Sequence, residues 1–162
     1  MRAGRLRVPP NQRSYRWEDE HVTDLFQDLS KAIDGEDYFL GTIVLTGTAG
    51  PIPEVTDGQQ RLATTTILLA AIRDFFSERA KRKIVQQLES DFLSTIEYGS
   101  EEAVPRLALN TDDNQFFINA FLLRPEDRPT YNTADLSESN KRLLKAFQLA
   151  KRHVQDISSV MT

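Results

Sequence analysis

The chain has 162 residues, 40% of them apolar and 9% aromatic, which suits one domain with a real core and excludes a disordered chain. Lys and Arg number 20 against 24 Asp and Glu, a net charge of −4 that argues against a surface given over wholly to nucleic acid, though a local basic site stays open. Cysteine is absent, which excludes disulfides and thiolate metal sites.

His21 and His153 stand apart, outside any metal-ligand spacing. No charged-then-apolar leader opens the chain. The longest apolar run, ILLAAI, is far short of the roughly 18 residues of a membrane span. The expectation is a soluble, cytoplasmic protein with no membrane partner.

In chain order, RLRV at residues 5–8 reads as a short strand ended by Pro9 and Pro10, which cannot donate to a ladder. From Glu18, the steps of Val22, Leu25, Phe26, Leu29, Ala32 and Ile33 predict a helix with one buried face, closed at Asp34-Gly35. YFLGTIVLT reads as a buried strand, GTAGPIP as a turn and PEVT as a second strand. A helix is expected from Gly58 to about Lys81, with Leu62, Thr65, Leu69, Ile72 and Phe76 along its face. Ile84, Leu88, Phe92 and Ile96 suggest another helix, RLALN a strand and DNQFFINAFLL a further helix. Leu123 to Leu136 reads as an exposed loop, and the last helix is capped by Ser137 or Ser139. The sum is an α+β fold with small strands early and helices late.

Asp57, Gly58, Gln59, Gln60 and Arg61 fall where a strand becomes a helix. The plain explanation is a capping box: Asp57 accepts from the Gln60 amide, and Gln60 reaches back to the Asp57 amide. A second explanation is an anion cradle. The open amides of a helix start suit a phosphate, Gly58 removes a side chain that would obstruct the backbone, and Arg61 adds a planar cation one turn in. The two explanations are compatible.

Upstream, Asn11, Gln12, Arg13, Tyr15, Arg16 and Trp17 form a second polar cluster. Either Tyr15 and Trp17 pack onto the following helix, or Gln and Arg supply hydrogen bonds while a ring stacks on a base.

Taken together, VPPNQRSYRWEDEHVTDLFQDL, YFLGTIVL and EVTDGQQRLATTTIL resemble the N-terminal domain of GmrSD-type, modification-dependent restriction endonucleases. The order and spacing of that family's pattern match over residues 8–72, and PRLALNTDDNQFF resembles its following strand and helix. Departures are Thr56 before Asp57, Ala63 in place of the usual threonine after Arg-Leu, and Asn11 where an aromatic residue is common.

The resemblance implies a ParB/sulfiredoxin-like α+β core over residues 1–80 carrying the Asp-Gly-Gln-Gln-Arg turn. Residues 81–162 then form a mainly helical extension of the same domain. It implies that a nucleoside triphosphate with Mg²⁺ is bound and hydrolysed at Gly58-Gln59-Gln60-Arg61. That activity serves recognition and cleavage of modified or phage DNA, with an HNH-type nuclease domain or subunit doing the cutting.

In this reading Gly58 and the following amides hold β- or γ-phosphate, and Arg61 neutralises charge in phosphoryl transfer. Gln59 or Gln60 orients a water, and Gln12 and Arg13 contact phosphate or sugar. Asp57 either caps the helix or faces the Mg²⁺, Tyr15 and Trp17 contact a base, and Asp28 is a weaker candidate. Two rivals are a non-enzymatic sensor of modified DNA, gripping a backbone phosphate at the same turn, and a structural interaction domain in which the cap is only a cap.

Overall fold

The structure, a computed structural model, describes residues 4–33, 35, 37–47, 50–97 and 99–160. Among them a small mixed sheet takes the order β2-β3-β1-β6, with β1 at Leu6–Arg7, β2 at Val44–Thr46, β3 at Glu54–Asp57 and β6 at Leu107–Ala108. The short β1 runs parallel to both neighbours: Arg7 lies opposite Glu54 on one side and Ala108 on the other. Pro9 and Pro10 then end the ladder, as a residue without an N–H must. Strand β4 (Ser94–Ile96) and β5 (Ala103–Pro105) form a separate hairpin.

Five helices complete the fold: α1 at Asp19–Ala32, α2 at Gln59–Glu78, α3 at Arg82–Leu88, α4 at Thr111–Phe117 and α5 at Glu138–Val160. Helix α5 packs along α2, and α1 along α5. One core draws on both halves of the chain, joining Val22 and Phe26, Val55 and Ile67, Phe117 and Phe121, and Leu143 and Phe147. The α+β class is as expected. No helix of the described residues is long and apolar enough to cross a membrane.

Several expectations need correction. The run YFLGTIVLT is not a buried strand: only Val44–Thr46 is extended, as the edge strand β2, and all three of its side chains are exposed. An edge strand has one ladder neighbour, so the run buries only parts of Leu40 and Ile43 while Phe39 stands 78% exposed. Ile33 is likewise exposed, at the end of α1, and Asp34 lies outside the described residues.

The stripe expected on α2 is shifted. Leu62 is buried, but Thr65, Leu69, Ile72 and Phe76 are only partly covered, while Ala63, Thr66, Ile67, Ala70, Ala71, Arg73 and Asp74 face inward. A central helix flanked on several sides buries more than one stripe, and its alanines admit close neighbours. Ile96 belongs to β4 rather than a helix; α3 ends in a π-helical turn at Glu89–Leu93. Helix α4 ends in a similar turn at Ile118–Leu122, and Ser137 caps α5 through its hydroxyl to the Asn140 amide.

Candidate functional site

Strand β3 runs directly into α2, and Gly58 is the hinge. Its φ of 85° lies in the left-handed region, where a Cβ is strained. The space beside it is taken by the chain itself: a Cβ there would stand 3.1 Å from Ile43 Cγ1 and 3.2 Å from the Thr42 carbonyl oxygen. The absence of a side chain at Gly58 therefore serves the turn and the packing of residues 42–43. It is not an opening left for a ligand.

The capping box does not form. Gly58 is the N-cap and no side chain caps the helix. Gln60 turns instead to the upstream segment, its Oε1 accepting from the Arg16 amide at 2.7 Å and the Trp17 amide at 3.3 Å. Gln59 folds back on β3, its Nε2 donating to the Val55 carbonyl at 2.9 Å. Asp57 ends β3, exposed, and its carboxylate has no hydrogen bond or ion pair with the described residues. The first amides of α2, at Gln59, Gln60 and Arg61, take no acceptor among the described residues, as at any uncapped helix start, with the positive end of the dipole behind them.

Arg61 occupies the first turn of α2, partly exposed. Its guanidinium lies against Gly41, and its Nη1 donates to the Thr42 carbonyl at 3.3 Å. Among the described residues it forms no ion pair. Close by, Tyr38 donates its hydroxyl to Asp28 Oδ2 at 2.9 Å. That bond raises the Tyr38 phenol above its ordinary pKa, against the pull of the Arg61 charge. Asp28 is thus brought to the flank of the corner, but engaged with Tyr38 and Lys31.

The segment Gln12–Trp17 is strapped beside the turn from three sides. Asn110, the N-cap of α4, donates to the Gln12 carbonyl at 2.9 Å. Asp113, itself buried, accepts the Tyr15 amide at 2.7 Å through one oxygen and the Ser139 hydroxyl at 2.5 Å through the other. The Tyr15 hydroxyl reaches Thr64 Oγ1 at 2.7 Å; because Thr64 gives its own proton to the Gln60 carbonyl, Tyr15 is the donor.

Tyr15 is only 2% exposed, so the expected base contact is corrected: its ring is core, and burial pushes its phenol well above the ordinary value. Trp17 is half-buried against the same core and stacks on His21 at 5.9 Å between centroids.

Arg13 and Arg16, on this strap, are exposed, with no ion pair to the described residues. Arg13 shares with Gln59 and Gln60 the lining of a cleft of about 10 Å³, room for about one water. The parallel pairing of β1 with β3 makes this juxtaposition. Gln12 sits on the strap with its side chain free of described partners, its backbone held by Pro9 and Asn110.

Three arginines, at 13, 16 and 61, thus border the start of α2, and none of them forms an ion pair with a carboxylate among the described residues. No group of three or more His, Asp or Glu gathers for a metal among the described residues, so a cation here would depend on phosphate oxygens and a single carboxylate such as Asp57.

Sequence reading missed the clasp of Thr64, Asn110, Asp113 and Ser139, and also Gly41. The one available signal was PRLALNTDDNQFF, whose Asn-x-x-Asp layout marks a capped helix start.

A search of curated proteins finds no match. The family model described as "GmrSD restriction endonuclease, N-terminal domain" matches residues 1–161. With nearly every residue covered, including the Asp57–Arg61 turn and the strap that braces it, the chain belongs to the family of GmrSD restriction endonuclease N-terminal domains.

Proposed function

We propose that this domain binds a nucleoside triphosphate at the start of α2 and hydrolyses it, in the service of DNA restriction and phage defence. The observation that carries the proposal is Arg61. It is a permanent cation at the positive end of a 20-residue helix, partly exposed, fixed by one carbonyl and opposed by no carboxylate among the described residues. Such a guanidinium beside open amides matches the oxygens of a phosphate. Arg13 and Arg16 add charge at the same helix start.

The hydrogen bonds divide the two glutamines. Gln60 must present its oxygen to two backbone N–H groups, which leaves only donors. Gln59 must present its nitrogen to Val55, which leaves Oε1 to accept a proton from water. Gln59 is therefore the residue suited to orient an attacking water. Arg61 would neutralise charge as it grows on the transferred group. Mg²⁺, arriving with the triphosphate, would screen the phosphate oxygens, and Asp57 is the open carboxylate of this turn. The DNA and an HNH-type nuclease belong to the same proposal as partners of the full-length protein.

The rival sensor, with Tyr15 and Trp17 reading a modified base, loses support because Tyr15 is interior. Titration of fluorescent nucleotides against the wild type and Arg61→Ala tests the binding; a loss of roughly tenfold or more is expected from one charge-assisted contact. Equal binding by both proteins would end the proposal. Phosphate release from each triphosphate with Mg²⁺ tests the hydrolysis, and binding without turnover would reduce the domain to a nucleotide sensor.

A further inference from the structure

We infer that Gly41 is a positioning residue for Arg61, so that affinity at the start of α2 is set partly from a position twenty residues upstream. The inference rests on the nucleotide-binding reading above. Gly41 has a φ of 100°, and a Cβ built on it would lie 2.5 Å from Arg61 Nη1, 2.7 Å from Cζ and 3.0 Å from Nη2. All three are guanidinium atoms, so the group lies across the bare Cα, and a side chain at this position would push it aside. The next residue supplies the polar half of the seat, the Thr42 carbonyl oxygen 3.3 Å from Nη1.

The same short segment is fixed from the other side. Thr42 and Ile43 occupy the space beside Gly58, at 3.2 and 3.1 Å from where its Cβ would be. The two glycines therefore act as a pair: Gly58 admits the segment to the helix start, and Gly41 admits the guanidinium to the segment. Among the described residues a planar cation is thus seated without a carboxylate, so its charge is not spent on any of them. An arginine pinned by an acid would be equally ordered but already neutralised. One pinned by a bare Cα and a carbonyl keeps its full charge for an incoming anion.

The test is a set of labelled-triphosphate titrations on the wild type, Gly41→Ala, Arg61→Lys, Gly41→Ala/Arg61→Lys and Arg61→Ala. Gly41→Ala should weaken binding roughly tenfold by displacing the guanidinium. In the Arg61→Lys background, where the slimmer ammonium does not need the seat, Gly41→Ala should cost nothing further. Unchanged binding by Gly41→Ala while Arg61→Ala binds poorly would overturn the inference and leave the nucleotide reading standing. An equal loss in both backgrounds would also overturn it, because the alanine would then act through strain at φ 100° rather than through Arg61. Unchanged binding by Arg61→Ala, in contrast, would mark failure of the nucleotide reading itself.

Should Gly41→Ala fail to fold, nitrogen-15 NMR of the wild-type side chains decides. A seated Arg61 gives separate Nη signals from hindered rotation, whereas averaged signals like those expected of exposed Arg13 would overturn the inference.

Discussion

Helix α2 carries two arginines, twelve residues apart, in opposite circumstances. Arg73 is fully buried and saturated: it donates to Asp74 at 2.9 Å and to the carbonyls of Phe121, Leu122 and Leu123 at 2.8–3.0 Å. Arg128 joins from the loop after α4, bonding Asp74 and two of the same carbonyls, and Glu89 stands 3.6 Å from Arg73. These cations cap the π-turn that ends α4, where unpaired carbonyls and the negative end of the dipole gather. Among the described residues Arg61 has one carbonyl partner and no acid, and it is partly exposed. The same side chain in the same helix is a structural rivet at one end and an unneutralised charge at the other. The number of partners, rather than residue type, separates the two roles.

The contrast makes quantitative demands on stability. Arg73→Ala should cost about 3–5 kcal/mol, since it leaves the buried Asp74 to Arg128 alone and takes from the Leu122 carbonyl its guanidinium donor. Chemical denaturation measures this, and a loss under about 1 kcal/mol would mean that Arg73 is not the rivet described. Next in size is Asp113→Ala. It removes the acceptor of the Tyr15 amide and the Ser139 hydroxyl, and should cost about 2–3 kcal/mol. It should also loosen the strap that carries Arg13 and Arg16, seen as faster amide exchange at Tyr15. A variant with unchanged exchange there would show that Asn110, Thr64 and Gln60 hold the strap without Asp113.

The outer frame of this arrangement was legible in the sequence. Glycine between a β-branched run and a helical period marked the strand-to-helix turn, and the pair Ser137 and Ser139 marked the last helix start, where Ser137 is the cap. The interior was not, for a physical reason. NQRSYRW has the composition of a surface turn, and what puts Tyr15 inside is Asp113 and Thr64, 98 and 49 residues away. The Asp57-x-x-Gln60 pattern satisfied a local rule, yet Gln60 serves the distant amides of Arg16 and Trp17 instead. Local patterns state what a side chain can reach in its own helix; tertiary structure decides which of several acceptors it serves. Gly41 looked like a glycine within a strand, because its φ of 100° and the Arg61 guanidinium lying across it are both set by the tertiary fold.

A smaller effect tests the far end of the helical layer. His153 lies between α5 and α1, 2.8 Å from Ser30 Oγ; since Ser30 donates to the Phe26 carbonyl, the imidazole Nε2 carries the proton that Ser30 accepts. Burial lowers the His153 pKa, with Asp156 and the Phe26 carbonyl opposing. The folded state thus prefers neutral imidazole. Its contribution is complete above the unfolded value near 6.5 and is lost as pH falls from there through the lowered folded value. Melting temperature should fall slightly between about pH 7 and 5 in the wild type and less in His153→Gln; identical pH profiles would remove the histidine from the account.

The smallest expected change is the one that bears most on function. Arg61→Ala should alter stability by no more than about 0.5 kcal/mol, because the residue gives up one long hydrogen bond, leaves no buried charge behind and exposes no core. The same substitution should cost most of the affinity for a triphosphate. That pairing, little stability against much binding, is the reverse of what Arg73→Ala should give, where the loss falls on stability. If instead Arg61→Ala destabilises the fold by about 2 kcal/mol or more, the Gly41 seat is a structural pin like the cluster around Asp74. The two ends of α2 would then differ in exposure alone, and the anion site would need other residues to carry it.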